Sequence, residues 1–178
     1  MRVFIDTNVL VSASLNIKSI SGMAYTKSLY SPFYPITSNY VLDELKSVYA
    51  RKFPHKWDEL NYFLGTIITN IEIVKVPEEK YDEEQLIRDM KDQPVFRAAK
   101  ISKADILLSG DKDFTDSVIK NPKIMTPRDF LEFDLEIDAI KRVDAMQKFL
   151  SEKETVDDDY AEAVLNSRKN HFQTERDW

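Results

Sequence analysis

The chain has 178 residues, 43% of them hydrophobic and 31% charged, which is the composition of a folded body of ordinary domain size rather than a disordered one. It contains no cysteine, so disulfides and thiolate metal sites are excluded, which fits a reducing cytoplasm. The net charge of −6 is unevenly spread: residues 1–150 carry 23 acids against 21 bases, and residues 151–178 carry 8 against 4. A nucleic-acid ligand would therefore need local basic patches rather than a global field.

Residues 2–5 are predicted to form a first strand, ending abruptly in Asp6-Thr7-Asn8. The same polar residues break the apolar start, so it does not read as a secretory leader. A helix follows through roughly residues 8–30, with an irregular polar middle between Asn16 and Gly22. The uncharged stretch after it contains Pro32 and Pro35, which argues against a membrane span. Tyr34 to Thr37 gives a short second strand. Ser38 or Asn39 then caps a helix running to about Lys52, with Val41, Leu45 and Val48 along one face. Another helix fits His55 to Thr69, and Ile71 to Val76 is a strand. An acidic turn over 77–84 leads to a possible helical stretch at 83–89. Pro94 sits in the first turn of a helix over about 93–103, where its missing N–H costs little. Ile106 to Leu108 is a buried strand, Lys123 to Met125 the last one, and Pro127 opens a helix to about Phe133. Alternating strands and helices of these lengths predict a three-layer α/β/α fold around a mostly parallel sheet. From Leu135 the pattern becomes helical and acidic, so the domain reads as 1–134 with a helical extension over 135–178.

Two strands end in the same way. Asp6 leaves the first, and Ser109-Gly110-Asp111-Lys112-Asp113 leaves the strand at 106–108. In open α/β sheets ligands bind at that carboxyl edge. Glu44 borders the buried face of its helix, and Asp92 stands at the start of another. Each acid has an ordinary reading: Asp6 as a helix cap, Glu44 as a solvated helix residue, Asp92 and Asp113 as caps. Asp105, at the other end of its strand, reads as structural. Four carboxylates brought to one point would repel unless cations joined them. Mg²⁺ or Mn²⁺ suits an all-oxygen site, and metal-assisted phosphoryl chemistry is what such a site serves.

These stretches together resemble the PIN-domain family, and within it the toxin-like ribonucleases of toxin–antitoxin pairs, the VapC-type group. The resemblance lies in Val3-Phe4-Ile5-Asp6-Thr7-Asn8-Val9-Leu10, in the helix Ser38 to Val48 with its single acid Glu44, and in Asp92-Gln93-Pro94-Val95-Phe96-Arg97-Ala98-Ala99. It continues in Ala104 to Phe114, followed by Ile124 to Phe130, and covers about residues 1–133. It implies a cytoplasmic Mg²⁺- or Mn²⁺-dependent endoribonuclease with an RNA substrate, a cognate antitoxin and a homodimeric assembly. Asp6, Glu44, Asp92 and Asp111 would be the catalytic metal ligands, with Asp113 auxiliary and Thr7, Asn8 and Ser109 orienting them. Asp89 offers itself beside Asp92, which keeps the better spacing to Ala99. Arg97, Lys100 and Lys112 are the expected RNA contacts. Lys46, Arg51, Lys52 and Lys103 are other bases near the crevice, with Arg51-Lys52 read rather as a solvated charged pair. Tyr40 and Phe114 read as core before base-stacking residues. Two other readings stand beside this one: a non-catalytic PIN-like binding module, and a haloacid-dehalogenase-like phosphohydrolase. The latter requires a second Asp two residues after the nucleophile, where this chain has Asn8.

Overall fold

A computed structural model describes residues 1–134; the expected helical extension over 135–178 lies outside the described residues. Five parallel strands form one sheet in the order β3-β2-β1-β4-β5: β1 Arg2–Ile5, β2 Tyr34–Ser38, β3 Glu72–Val74, β4 Ile106–Leu108 and β5 Lys123–Met125. Val3, Phe4 and Ile5 are wholly buried, as are Ile106, Leu107 and Leu108. An unbroken apolar run is what a parallel strand covered on both faces requires.

Among the described residues six α-helices lie between the strands, α1 Thr7–Leu15, α2 Ile20–Ser28, α3 Asn39–Lys52, α4 Trp57–Asn70, α5 Gln93–Ile101 and α6 Lys112–Thr115, and α7 Pro127–Glu132 follows β5. The chain moves from β1 to β3 in one direction and from β3 through β4 to β5 in the other. Right-handed crossovers then put α1 to α4 on one face of the sheet and α5 and α6 on the other. The direction reverses between β1 and β4, so the crevice opens beyond the carboxyl ends of these two strands.

Local chemistry sets the boundaries. Asn16 ends α1, and Ser19 caps α2 by accepting from the Gly22 amide at 3.0 Å. Gly22 is obligatory there: a Cβ would lie 2.4 Å from the Ile17 carbonyl oxygen and 2.6 Å from that of Asn16. The expected single helix over 8–30 is thus two helices that share this tight corner. Ser38 caps α3 by accepting from the Val41 amide. Strand β3 is shorter than the apolar pattern suggests, because only Glu72–Val74 pairs with β2. The acidic segment is a 3₁₀ turn at Asp82–Leu86. The Lys27 ammonium donates to the Phe130 and Leu131 carbonyls, tying α2 to the end of α7. Among the described residues no helix is long and apolar enough to cross a membrane.

Candidate active site

Strand β1 delivers Asp6, which is 5% exposed, to the sheet edge. Its backbone continues the ladder, the amide donating to the Leu108 carbonyl at 3.1 Å. One carboxylate oxygen accepts from the Thr7 amide at 2.6 Å and the other from the Ser109 hydroxyl at 2.6 Å. The Ser109 Oγ also accepts from Asn8 Nδ2 at 3.3 Å and from the Asp111 amide at 3.0 Å. Its single proton is thereby directed to Asp6 and its lone pairs are both used. Asn8 closes the bracket by accepting from the Gly110 amide at 3.3 Å. Thr7, Asn8 and Ser109 thus form one network that fixes Asp6 and the turn leading to Asp111.

The other acids arrive from separate elements. Glu44 lies in the second turn of α3 and accepts from the Thr7 hydroxyl at 2.5 Å. Asp111 caps α6 by accepting from the Asp113 amide at 2.9 Å. Asp92 precedes α5 in helical conformation (φ −87°, ψ −16°), and its side chain does not cap the helix. An N-cap residue typically uses its side chain on the helix from an extended backbone, and in this helical conformation the carboxylate makes no cap bond. Asp6, Glu44, Asp92 and Asp111 all line one crevice of about 410 Å³.

Burial first, and neighbouring charge after it, act on the acidity of Asp6 and Asp92. Burial, opposed by the bonds from Ser109 and Thr7 and reinforced by Glu44 and Asp111, pushes Asp6 up to about 6. Asp92 rises to about 7, by desolvation first and then by the charges of Asp6, Asp111, Asp89 and Glu44. A set of oxygen donors held together against its own repulsion fits a hard divalent cation, which would reverse the sign of the local field. The donor chemistry and the uncommitted Asp92 are what make the fit.

Other expected residues fall elsewhere. Asp113 does not line this crevice: its carboxylate pairs with Arg88, and one of its oxygens lies within 4.8 Å of oxygens from Asp89 and Asp92. Asp89 and Asp92 are therefore neighbours in one acidic rim rather than alternatives. Two of the expected RNA contacts are engaged away from the crevice. Arg97 is buried, with Nε and Nη2 each donating at 2.7 Å to one oxygen of Glu84 and Nη1 to the Pro77 carbonyl. Five positions after Asp92 on a helix is about 140° from it in angle, which aims Arg97 at the acidic segment. Lys100 bonds Glu83 and the Asn121 carbonyl, and lies in a hollow with Asp105 at the opposite edge of the sheet. Lys103 lines that same hollow. Lys112 is exposed beside Asp113 and Arg88. Lys46 pairs with Asp43 on the surface. Asp105 accepts from the Arg2 amide, the structural role its position suggests. Phe114 is wholly buried.

Sequence reasoning undervalued two residues. Lys52 lines the crevice, and the 44-48-52 spacing that places it on the face of Glu44 is plain in the sequence. Tyr40, half-buried, donates to the Lys91 carbonyl at 2.9 Å, a contact between distant segments that leaves no sequence signal.

The chain matches the family described as PIN domain over residues 2–113, a span that contains all four crevice acids. No curated protein matches it in sequence. Among solved structures it is similar to a chain of the VapBC2 complex of Rickettsia felis, crystallised on a DNA fragment from its promoter. That likeness has TM-score 0.55 and 19% identity, over 71% of this chain and 98% of the other. A second similarity is to VapC20 of Mycobacterium tuberculosis, a toxin that cleaves the sarcin–ricin loop, with TM-score 0.47 and 18% identity over 64% and 93% of the two chains.

Proposed function

This chain belongs to the PIN-domain family, and on that premise we propose that it is a divalent-metal-dependent endoribonuclease, the toxin of a toxin–antitoxin pair. The observation that carries the reading is the convergence of Asp6, Glu44, Asp92 and Asp111 from four separate elements on one crevice. Asp6 and Asp111 would hold the cation from the sheet edge, with Glu44 and Asp92 completing the oxygen set. Mg²⁺ or Mn²⁺ bound there supplies an activated water and offsets the charge that builds on phosphorus and on the leaving oxygen.

The chain's own residues prepare that site. Ser109 and the Thr7 amide hold the two oxygens of Asp6 in a fixed plane, and the Thr7 hydroxyl fixes one oxygen of Glu44. Such hydrogen bonds keep the ligands in place before substrate arrives, which is the preorganisation that electrostatic catalysis depends on. Hydrolysis of an RNA phosphodiester here would leave 5′-phosphate and 3′-hydroxyl ends, by analogy with the family. An antitoxin partner belongs to the same reading, in line with the likeness to a chain of the VapBC2 complex, and a homodimer belongs to it by analogy with the toxin-like members of the family. Residues 1–134 would be the nuclease domain and 135–178 a separate extension.

The phosphohydrolase reading loses support, since Asn8 stands where the second Asp would be needed and both its side-chain atoms are spent on Ser109 and Gly110. A non-catalytic binding module has no observation in its favour. The test is cleavage of a mixed single-stranded and structured RNA pool with Mn²⁺, Mg²⁺ or EDTA, comparing wild type with Asp6→Asn. Metal-dependent cutting abolished by the substitution is expected. Cutting that survives in EDTA or in the variant would remove the carboxylate mechanism.

A further inference from the structure

The crevice does not stop at the acids. It runs between α1 and α3, from Thr7 to Leu15 on one side and from Glu44 to Lys52 on the other. Eight residues of helix on each wall give it a length of about 12 Å. Its near end is carboxylate, its middle is apolar (Val11 and Val48), and its far end is formed by Leu15 and Lys52. Lys52 is exposed and makes no hydrogen bond or ion pair among the described residues. A lysine in the last turn of a helix ordinarily complements the helix dipole. That role belongs equally to Arg51, yet only Lys52 lines the crevice.

We propose that the α1–α3 groove is a binding subsite for one single strand of nucleic acid, with Lys52 holding a phosphate on the far side of an apolar seat for a base. This rests on the nuclease reading, which places the scissile phosphate at the acidic end. A groove of about 12 Å accommodates a short run of strand, a few nucleotides at most when counted at about 3.4 Å of axial rise each. A volume of about 410 Å³ suits a short length of one strand. The faces of a base are apolar and rest on Val11 and Val48 without sequence preference, whereas a phosphate needs a cation. A flexible ammonium is a point charge that can follow a mobile strand.

The experiment uses a fluorescent single-stranded RNA oligonucleotide with wild type, Lys52→Ala, Lys52→Arg and, as a neighbour of equal charge outside the crevice, Arg51→Ala. Steady-state cleavage is measured alongside hydrolysis of bis(p-nitrophenyl) phosphate, which is too short to reach Lys52. Binding anisotropy is followed over a range of salt in the Asp6→Asn background. The expected result for Lys52→Ala is a KM for the oligonucleotide raised about fivefold with kcat within about twofold. The salt slope should flatten by about 0.7, the value for one phosphate contact on a single strand. Lys52→Arg should restore both, and Arg51→Ala and the small diester should be unaffected. An unchanged KM and salt slope, or equal losses with Arg51→Ala, would overturn the subsite. If wild type binds the oligonucleotide but cuts neither substrate, the nuclease reading falls while the salt slope still decides the role of Lys52.

Discussion

Replacing Asp92 by Asn should make the metal-free protein more stable and leave it unable to work. Asp92 is raised from 3.8 to about 7, by desolvation and by four neighbouring carboxylates. Its folded pKa lies above its unfolded one, so between these values the folded state holds more protons. Stability then falls as pH rises through that window, and the cost is complete above about pH 7. Three pKa units correspond to roughly 4 kcal/mol at about 1.36 kcal/mol each. Asp92 is half-buried at the mouth of an open crevice, and solvent screening reduces this to about 1–2 kcal/mol. An amide removes the charge and forfeits no hydrogen bond, because the carboxylate does not cap α5. Calorimetry in EDTA near pH 8 should therefore show Tm raised by roughly 3–8 °C for Asp92→Asn. The gain should shrink near pH 5, where wild-type Asp92 is itself neutral. Added Mn²⁺ should stabilise wild type and not the variant. A variant no more stable than wild type in EDTA at pH 8 would refute the claim that the acids are held together against their repulsion. Asp6→Asn is a different case: Asp6 accepts from both Thr7 and Ser109, so its amide would set one donor against another and offset the electrostatic gain.

The same acidities govern metal uptake. With Asp6 at about 6 and Asp92 at about 7, protons compete with the cation, and Mn²⁺ affinity by titration calorimetry should fall roughly a hundredfold between about pH 7.5 and pH 5.5; a flat profile would exclude these two ligands. Arg97→Ala should act on stability and not on RNA: it strands the buried Glu84 and should cost about 3–5 kcal/mol, lowering Tm by roughly 10 °C or more, while the oligonucleotide affinity of the folded fraction stays the same. Tyr40→Phe removes the hydroxyl that holds the Lys91 carbonyl beside Asp92. Losing a bond worth about 1 kcal/mol should weaken Mn²⁺ binding up to about fivefold with Tm little changed, and unaltered metal affinity would show that the loop holds Asp92 without it.

By itself the sequence determined the layers and the carboxylate edge. Val3-Phe4-Ile5 and Ile106-Leu107-Leu108 are short, uniformly apolar runs, the pattern of doubly covered strands. Each is followed at once by an acid, so the two Asp residues were bound to emerge at one edge once the strands paired. The Ser38 cap was legible for the same reason, since it acts on the Val41 amide only three residues away, whereas the corner between α1 and α2 showed only as an irregular polar middle of one expected helix. What the chain alone could not decide was everything set by rotation about a helix or by contacts between distant segments. Arg97, counted from the sequence as a base near the acids, is turned into an ion pair with Glu84, thirteen residues earlier. Lys100 is carried along the helix axis to the far edge of the sheet, and Asp113 is turned from Asp111 toward Asp92 and Arg88. Local pattern fixes where a backbone begins, bends and ends. The direction of a long side chain depends on which charge packing brings within reach, and only the tertiary structure could turn Arg97 away from the crevice and toward Glu84.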